Sequence, residues 1–208
     1  MGRPEEHLCN QGATRQLGNG LYAAEHYADA LVVYESQLSA LRRLGASEGN
    51  ILTVQGNLAS TYRALGLHEQ ALRLRQEAYT GRLKFFGEEH RHTFLEANNF
   101  GNELLGLRRF EEAKLLLRKT LPAARRVFGE GGSITLKMRK NYAQAFVRDA
   151  NATLDDLREA VTSLKELAPT ARRVLGGSHP IAAKIESDLR DAQAALRARE
   201  TPTPTGSA

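Results

Sequence analysis

The chain has 208 residues, 41% of them hydrophobic and 25% charged, with a formal net charge of +5 at neutral pH. No apolar run reaches the roughly 18–20 residues that a bilayer crossing needs, the start MGRPEEHLCNQG lacks the apolar stretch of a secretory leader, and Glu6 stands where a myristoylation signal wants Ser or Thr. A single cysteine, Cys9, excludes an internal disulfide and fits a reducing compartment, so a cytoplasmic protein is expected.

A period of 42 residues runs through the chain. Asn57, Asn99 and Asn141 recur at it, as do Gly45, Gly87 and Gly129, and Ala71 and Ala113. Ala59, Gly101 and Ala143 keep the same step. A fixed period in this range marks a stacked array of helical hairpins. Apolar residues fall at helical spacing in nearly every segment, and no strand alternation appears.

Residues 1–9 are expected to form an N-terminal arm. The first repeat, 10–45, opens on CNQGATRQLGNG, whose three glycines should fray its first helix, because Gly costs about 1 kcal/mol against Ala inside a helix. Its second helix starts at Tyr27 and carries Leu31, Tyr34, Leu38 and Leu41 as one apolar stripe, closed by Gly45. In the second repeat, 50–87, Leu52, Leu58, Tyr62 and Leu65 mark the buried side. Gly66 makes the turn, and Ala71, Leu72, Ala78 and Leu83 continue beyond it.

The third repeat, 92–129, offers Thr93 as a helix N-cap with Glu96 as its capping-box partner. Arg108 takes the bend position, and Pro122 should kink the second helix or shift its register. The fourth repeat, 134–176, has Ser133 as its cap and Pro169 inside its second helix. About five residues are inserted near Asp149-Ala150-Asn151-Ala152, which reads as a looser loop. Asp155, Asp156 and Glu159 read as a solvated helix start that suits the helix dipole.

A capping helix is expected over 179–199, with Ser178 as its cap. Ile181, Ile185, Leu189, Ala192 and Leu196 form a narrow apolar stripe, and Lys184, Glu186, Asp188, Arg190 and Asp191 occupy a charged opposite face. A helix apolar on one side suits the open end of an array. The tail over 200–208 has nothing to bury and should be disordered.

Asn57-Leu58-Ala59, Tyr62, Gly66 and Glu69-Gln70-Ala71 resemble the tetratricopeptide repeat. The period of 42, Asn98-Asn99, Phe110-Glu111-Glu112-Ala113, Gly87-Glu88-Glu89-His90 and the run from Gly176 to Pro180 are similar to the kinesin light chain type of that repeat. The resemblance spans residues 12–195. It implies an all-α, right-handed α-solenoid of four helix-turn-helix repeats plus a C-terminal capping helix, in which the first helix of each pair lines a concave groove.

Counting from the small residues Gly18, Ala59, Gly101 and Ala143 fixes the inward side chains. They are Arg15, Gln16 and Asn19 in repeat one, and Asn57, Ser60 and Arg63 in repeat two. Repeat three offers Asn98, Asn99 and Asn102. Repeat four offers Lys137, Lys140, Asn141, Gln144 and Arg148. An asparagine amide both donates and accepts, so a ladder of amides can pair with the N–H and C=O groups of an extended peptide. The cations favour acidic side chains. The bland alternative is that each inward Asn pairs with a neighbouring helix and merely orients it.

The expected function is a non-catalytic adaptor or scaffold that binds an extended, acidic peptide segment. The rivals are a self-assembling repeat module and an accessory domain of a larger regulatory or enzymatic system. No cofactor or metal is expected, because His90, His92, Glu88 and Glu89 are neighbours in one loop with no second cluster to complete a site. No phosphate-binding loop or nucleophile motif is present. Without tryptophan or a basic patch interleaved with aromatics, nucleic acid is not an expected partner.

Overall fold

The computed structural model describes residues 4–200, with side chains from residue 12 onward. Among the described residues there are nine helices and no strand: α1 (Pro4–Ala23), α2 (Tyr27–Arg43), α3 (Glu48–Ala64), α4 (His68–Phe86), α5 (Arg91–Gly106), α6 (Phe110–Phe128), α7 (Ser133–Val147), α8 (Leu154–Leu175) and α9 (Pro180–Glu200). In chain order they make four helix pairs and a last single helix. None of them is long and apolar enough to cross a membrane. The tail expected to be disordered lies outside the described residues apart from Glu200, and so does the side chain of Cys9.

The chain divides into two compact units between Glu103 and Leu104, inside α5.

The first unit stacks α1 on α2, α2 on α3 and α3 on α4. Its core joins Tyr34, Leu38 and Leu41 of the expected stripe, with Ala30, to Val54 and Leu58, and Leu31 packs against it only partly buried. Helix α1 begins at Pro4. It does not fray at its glycines. Gly18 is buried against Tyr34, and a Cβ there would stand 2.6 Å from a ring carbon. Close packing, not intrinsic propensity, decides the helix here.

The second unit packs α6 on α7, α7 on α8, and α9 on both α8 and α7. Leu136, Ala143, Phe146, Ala160, Leu164, Leu167, Ala182, Ile185 and Ala192 form its core. Pro122 and Pro169 sit inside helices that run on through them. Both prolines are exposed, so the backbone donor each lacks costs no buried partner.

The inserted loop is held rather than loose. Asp149 is buried and accepts hydrogen bonds from Lys114 Nζ (2.8 Å) and from the Asn151 amide (3.0 Å). Arg199 donates to the carbonyls of Ala150 and Ala152. Thr153 and Asp156 close the loop as a reciprocal capping box at the start of α8. Asp156 is thus a capping residue, and that hydrogen bonding holds its pKa below the ordinary carboxylate value.

The bends inside the first three helix pairs share one strained position. Glu25 (φ 62°), Gly66 (φ 76°) and Arg108 (φ 60°) each lie two residues before the second helix. A non-glycine residue there carries a penalty of about 1–2 kcal/mol. Glycine removes it but adds roughly 0.5–1 kcal/mol of unfolded-state freedom. Arg108→Gly is therefore expected to raise stability by about 0.5–1 kcal/mol, read as a higher urea midpoint. A lower midpoint would show that the arginine side chain matters more than its backbone.

Candidate functional site

The first helix of each pair carries the polar row that the sequence singled out, and the structure gives its members different environments. In the first unit Asn57 is half-buried and donates from Nδ2 to Asn19 Oδ1 at 3.2 Å. The same oxygen accepts the Tyr34 hydroxyl at 2.7 Å. Asn57 thus makes the lateral, helix-to-helix bond of the bland alternative. Ser60 faces α4, donating to Gly56 O (3.1 Å) and accepting from Arg75 Nη2 (2.6 Å). Arg63 is exposed, with Nε 3.8 Å from the buried carboxylate of Glu103. His68 Nδ1 approaches the same carboxylate at 3.3 Å.

Asn99 is half-buried and Asn102 exposed, whereas Asn98 is only 7% exposed. In the second unit Asn141 is 1% exposed. Asn98 and Asn141, expected as peptide contacts, are thus both buried in the free chain. Lys137, Lys140 and Gln144 are half-buried on α7, and Arg148 is exposed with its guanidinium 6.0 Å over the Phe110 ring. Burial holds the Lys140 pKa below the ordinary lysine value; Asp188 pulls it up, and Lys184 and Lys137 add to the lowering.

Asp188 corrects the reading of α9 as a helix charged on its outer side. Its side chain is 4% exposed and turned toward α7. Gln144 Nε2 donates to both its oxygens, at 2.9 and 3.0 Å, and Lys184 Nζ lies 2.8 Å from Oδ1.

Three helix caps also differ from expectation. Thr93 does not cap α5; it lies inside the helix, and its hydroxyl donates to Gly87 O (2.8 Å) and Arg82 O (3.3 Å). Its supposed capping partner, Glu96, is buried between Arg75 Nη1 (2.9 Å) and Arg82 Nε (3.3 Å). Ser133 opens α7 without a side-chain cap, after Gly132. At α5 and α9 the cap is histidine: His90 Nδ1 accepts the His92 amide and His179 Nδ1 the Ile181 amide, each at 3.2 Å. His90 is therefore a capping residue. Among the described residues no group of His, Cys, Asp or Glu could hold a metal ion.

Sequence reasoning missed Glu96, Glu103 and Asp188. Their signal was present in the period. Arg75, Arg82 and Glu96 are followed 42 residues later by Leu117, Ala124 and Met138, so a charge in one repeat stands where the next repeat is apolar.

Residues 50–126 match the family model of the tetratricopeptide repeat. No curated protein matches the sequence. Among solved structures, the chain is similar to the kinesin light chain nearly identical TPR-like repeats of Podosopora anserina, with a TM-score of 0.76, 18% identity, and 96% of this chain and 91% of that one covered. It is similar also to BtubC (BKLC) from P. vanneervenii, with a TM-score of 0.67, 18% identity, and 94% and 84% covered. A third likeness is to MamA RS-1, with a TM-score of 0.57, 12% identity, and 92% and 97% covered. At such identities the likeness is one of fold, an all-α helical-repeat solenoid.

Proposed function

We propose that this chain, whose residues 50–126 match the tetratricopeptide repeat model and whose fold is like that of kinesin light chain-type repeats, is a protein-interaction adaptor or scaffold that holds an extended, acidic peptide segment without catalysis. Tetratricopeptide repeats generally serve as interaction modules rather than as enzymes. The contacts proposed are Asn57, Asn99, Asn102 and Arg63 on the first helices of unit one, and Lys137, Lys140, Gln144 and Arg148 on α7 of unit two. The observation that carries the reading is the row on α7. Lys137, Lys140 and Gln144 recur at helical spacing on one face and keep partial access to solvent. On α7 the Gln144 amide supplies a donor and an acceptor for a peptide backbone, and the lysines supply charge for acidic side chains.

The test uses the full chain and two labelled decapeptides, one rich in Asp and Glu, one in Lys and Arg. Fluorescence anisotropy is expected to show saturable, salt-sensitive binding of the acidic peptide only. Lys137→Glu with Arg148→Glu should weaken it by about tenfold or more, roughly 1.4 kcal/mol, with unchanged circular dichroism. Equal binding of the basic peptide, or an affinity indifferent to charge reversal, would overturn the reading.

A further inference from the structure

The row of asparagines does not end at Asn141. The interval of 47 residues that separates Ala113 from Ala160 also separates Asn141 from Asp188. Asp188 therefore stands in phase with Asn57, Asn99 and Asn141, on a helix that repeats the role of α3, α5 and α7. Its contact repeats as well. Asn57 reaches sideways to Asn19 on α1, and Asp188 reaches sideways to Gln144 on α7. At this last place the neutral amide has become a carboxylate.

The surroundings changed with it. Lys137, Lys140 and Gln144 follow one another at intervals of three and four along α7, so they share a face. Lys184 adds a third ammonium from α9, 2.8 Å from the carboxylate. Lys140 feels Asp188, Lys184 and Lys137 together. Glu186 on the same helix is taken by Arg172, at 2.6 Å, and does not join them. The Lys184 ammonium and the Gln144 amide thus bind a single buried acid, with Lys140 in its electrostatic reach and Lys137 one turn before Lys140 on the same face. A buried carboxylate persists only when its partners compensate for lost water. Those same partners define an oxyanion site.

The geometry points to an oxyanion site made by Lys184 and Gln144 and flanked by Lys140 and Lys137 on α7, which the Asp188 carboxylate fills in the free protein and for which the acidic side chain of a bound segment competes. Asp188 is then the residue that sets how strongly unit two takes acidic ligands. The proposal rests on the reading above that α7 receives acidic segments. Asp188→Asn restores the amide found at the other in-phase positions, so it is the conservative change. It removes the internal competitor and leaves the cations in place.

The experiment titrates a capped triglutamate peptide into the full chain and follows backbone amide resonances. Asp188→Asn is expected to bind at least about tenfold more tightly than wild type, with shifts confined to α7 and α9. Adding Lys184→Met should abolish the gain. Equal or weaker binding by Asp188→Asn, or a gain that survives loss of Lys184, overturns the proposal. Should Asp188→Asn fail to fold, Lys184→Met alone decides, because Lys184 is half exposed. It should weaken triglutamate binding about tenfold, and an unchanged affinity would overturn the proposal. Absence of decapeptide binding would defeat the adaptor reading, whereas decapeptide binding with no response to Asp188 defeats this inference alone.

Discussion

Replacing Glu96 by alanine is expected to destabilise the protein by about 3–5 kcal/mol, the largest effect of any single change proposed for this chain. The reason is what remains. Glu96 is 3% exposed and lies between the guanidiniums of Arg75 and Arg82, themselves 5% and 8% exposed. Arg75 is also tied to Ser60, and Arg82 to the Leu52 carbonyl at 3.2 Å. Gly56 lies against the cluster, where a Cβ would meet Glu96, Arg75 and Arg82 atoms at ordinary contact distances of 3.5–3.8 Å. Without the carboxylate, two cations stay in a space that excludes water. Burying an uncompensated charge costs far more than losing an exposed pair, which is worth about 0–1 kcal/mol.

The next repeat supplies the control. Leu117, Ala124 and Met138 stand 42 residues after Arg75, Arg82 and Glu96, and all three are fully buried. The triple variant Arg75→Leu, Arg82→Ala, Glu96→Met should therefore be within about 1 kcal/mol of wild type or more stable, since an apolar replacement of a buried ion cluster is often neutral or favourable. Urea denaturation of both variants checks this. If the triple variant is as unstable as Glu96→Ala, the cluster is stabilising in its own right and the argument from uncompensated charge fails.

Asp149→Ala should cost about 3 kcal/mol. Lys114 is 6% exposed and holds Asp149 and Glu111 at 2.8 Å each, with its ammonium 4.7 Å over the Phe146 ring. Glu111 is exposed and cannot replace the buried partner. The hydrogen bond from Lys114 holds the Asp149 pKa below the ordinary carboxylate value, against the opposing effect of burial. Burial lowers the Lys114 pKa, but its bonds to Asp149 and Glu111 outweigh that and leave it raised.

The pH dependence follows from those directions. A depressed folded pKa at Asp149 gives stability that is full above the unfolded value of about 4 and is lost as pH falls through the folded value. The raised Lys114 pKa gives stability present below about 10.4 and lost as pH rises through its folded value. Wild type and Asp149→Ala should thus differ most near neutrality and converge in strong acid. A difference that stays constant down to pH 2 would show that the alanine acts through packing alone. Amide exchange should also speed up over residues 149–153, where Arg199 alone would then tie the loop to α9.

How much of this the sequence revealed depends on the kind of interaction. The helices and their pairing were legible, because apolar spacing and the 42-residue step are properties of one chain read in order. Gly18 was misjudged because propensity knows nothing of the Tyr34 ring against it. The row of inward side chains was legible as a register, but its exposure was not: Asn99 and Asn141 share a phase, yet one is half-buried and the other buried. Burial comes from a neighbouring helix, which register alone does not supply. Glu96 looked like a capping residue because its spacing from Thr93 fits that motif. Only packing shows that two arginines on another helix claim it first.

Hairpins built on one repeat carry a hazard of their own, since one can dock in a neighbour's seat during folding. The alternation of charge and hydrocarbon at successive junctions works against that error. Helix α5 laid on a face of the Leu117 and Ala124 kind would strand Glu96 without a cation, and α7 laid on α4 would press Met138 onto Arg75 and Arg82. Each mistake is penalised by several kcal/mol, so a salt cluster that adds little to the finished fold acts as an address label, telling the chain which hairpin belongs where.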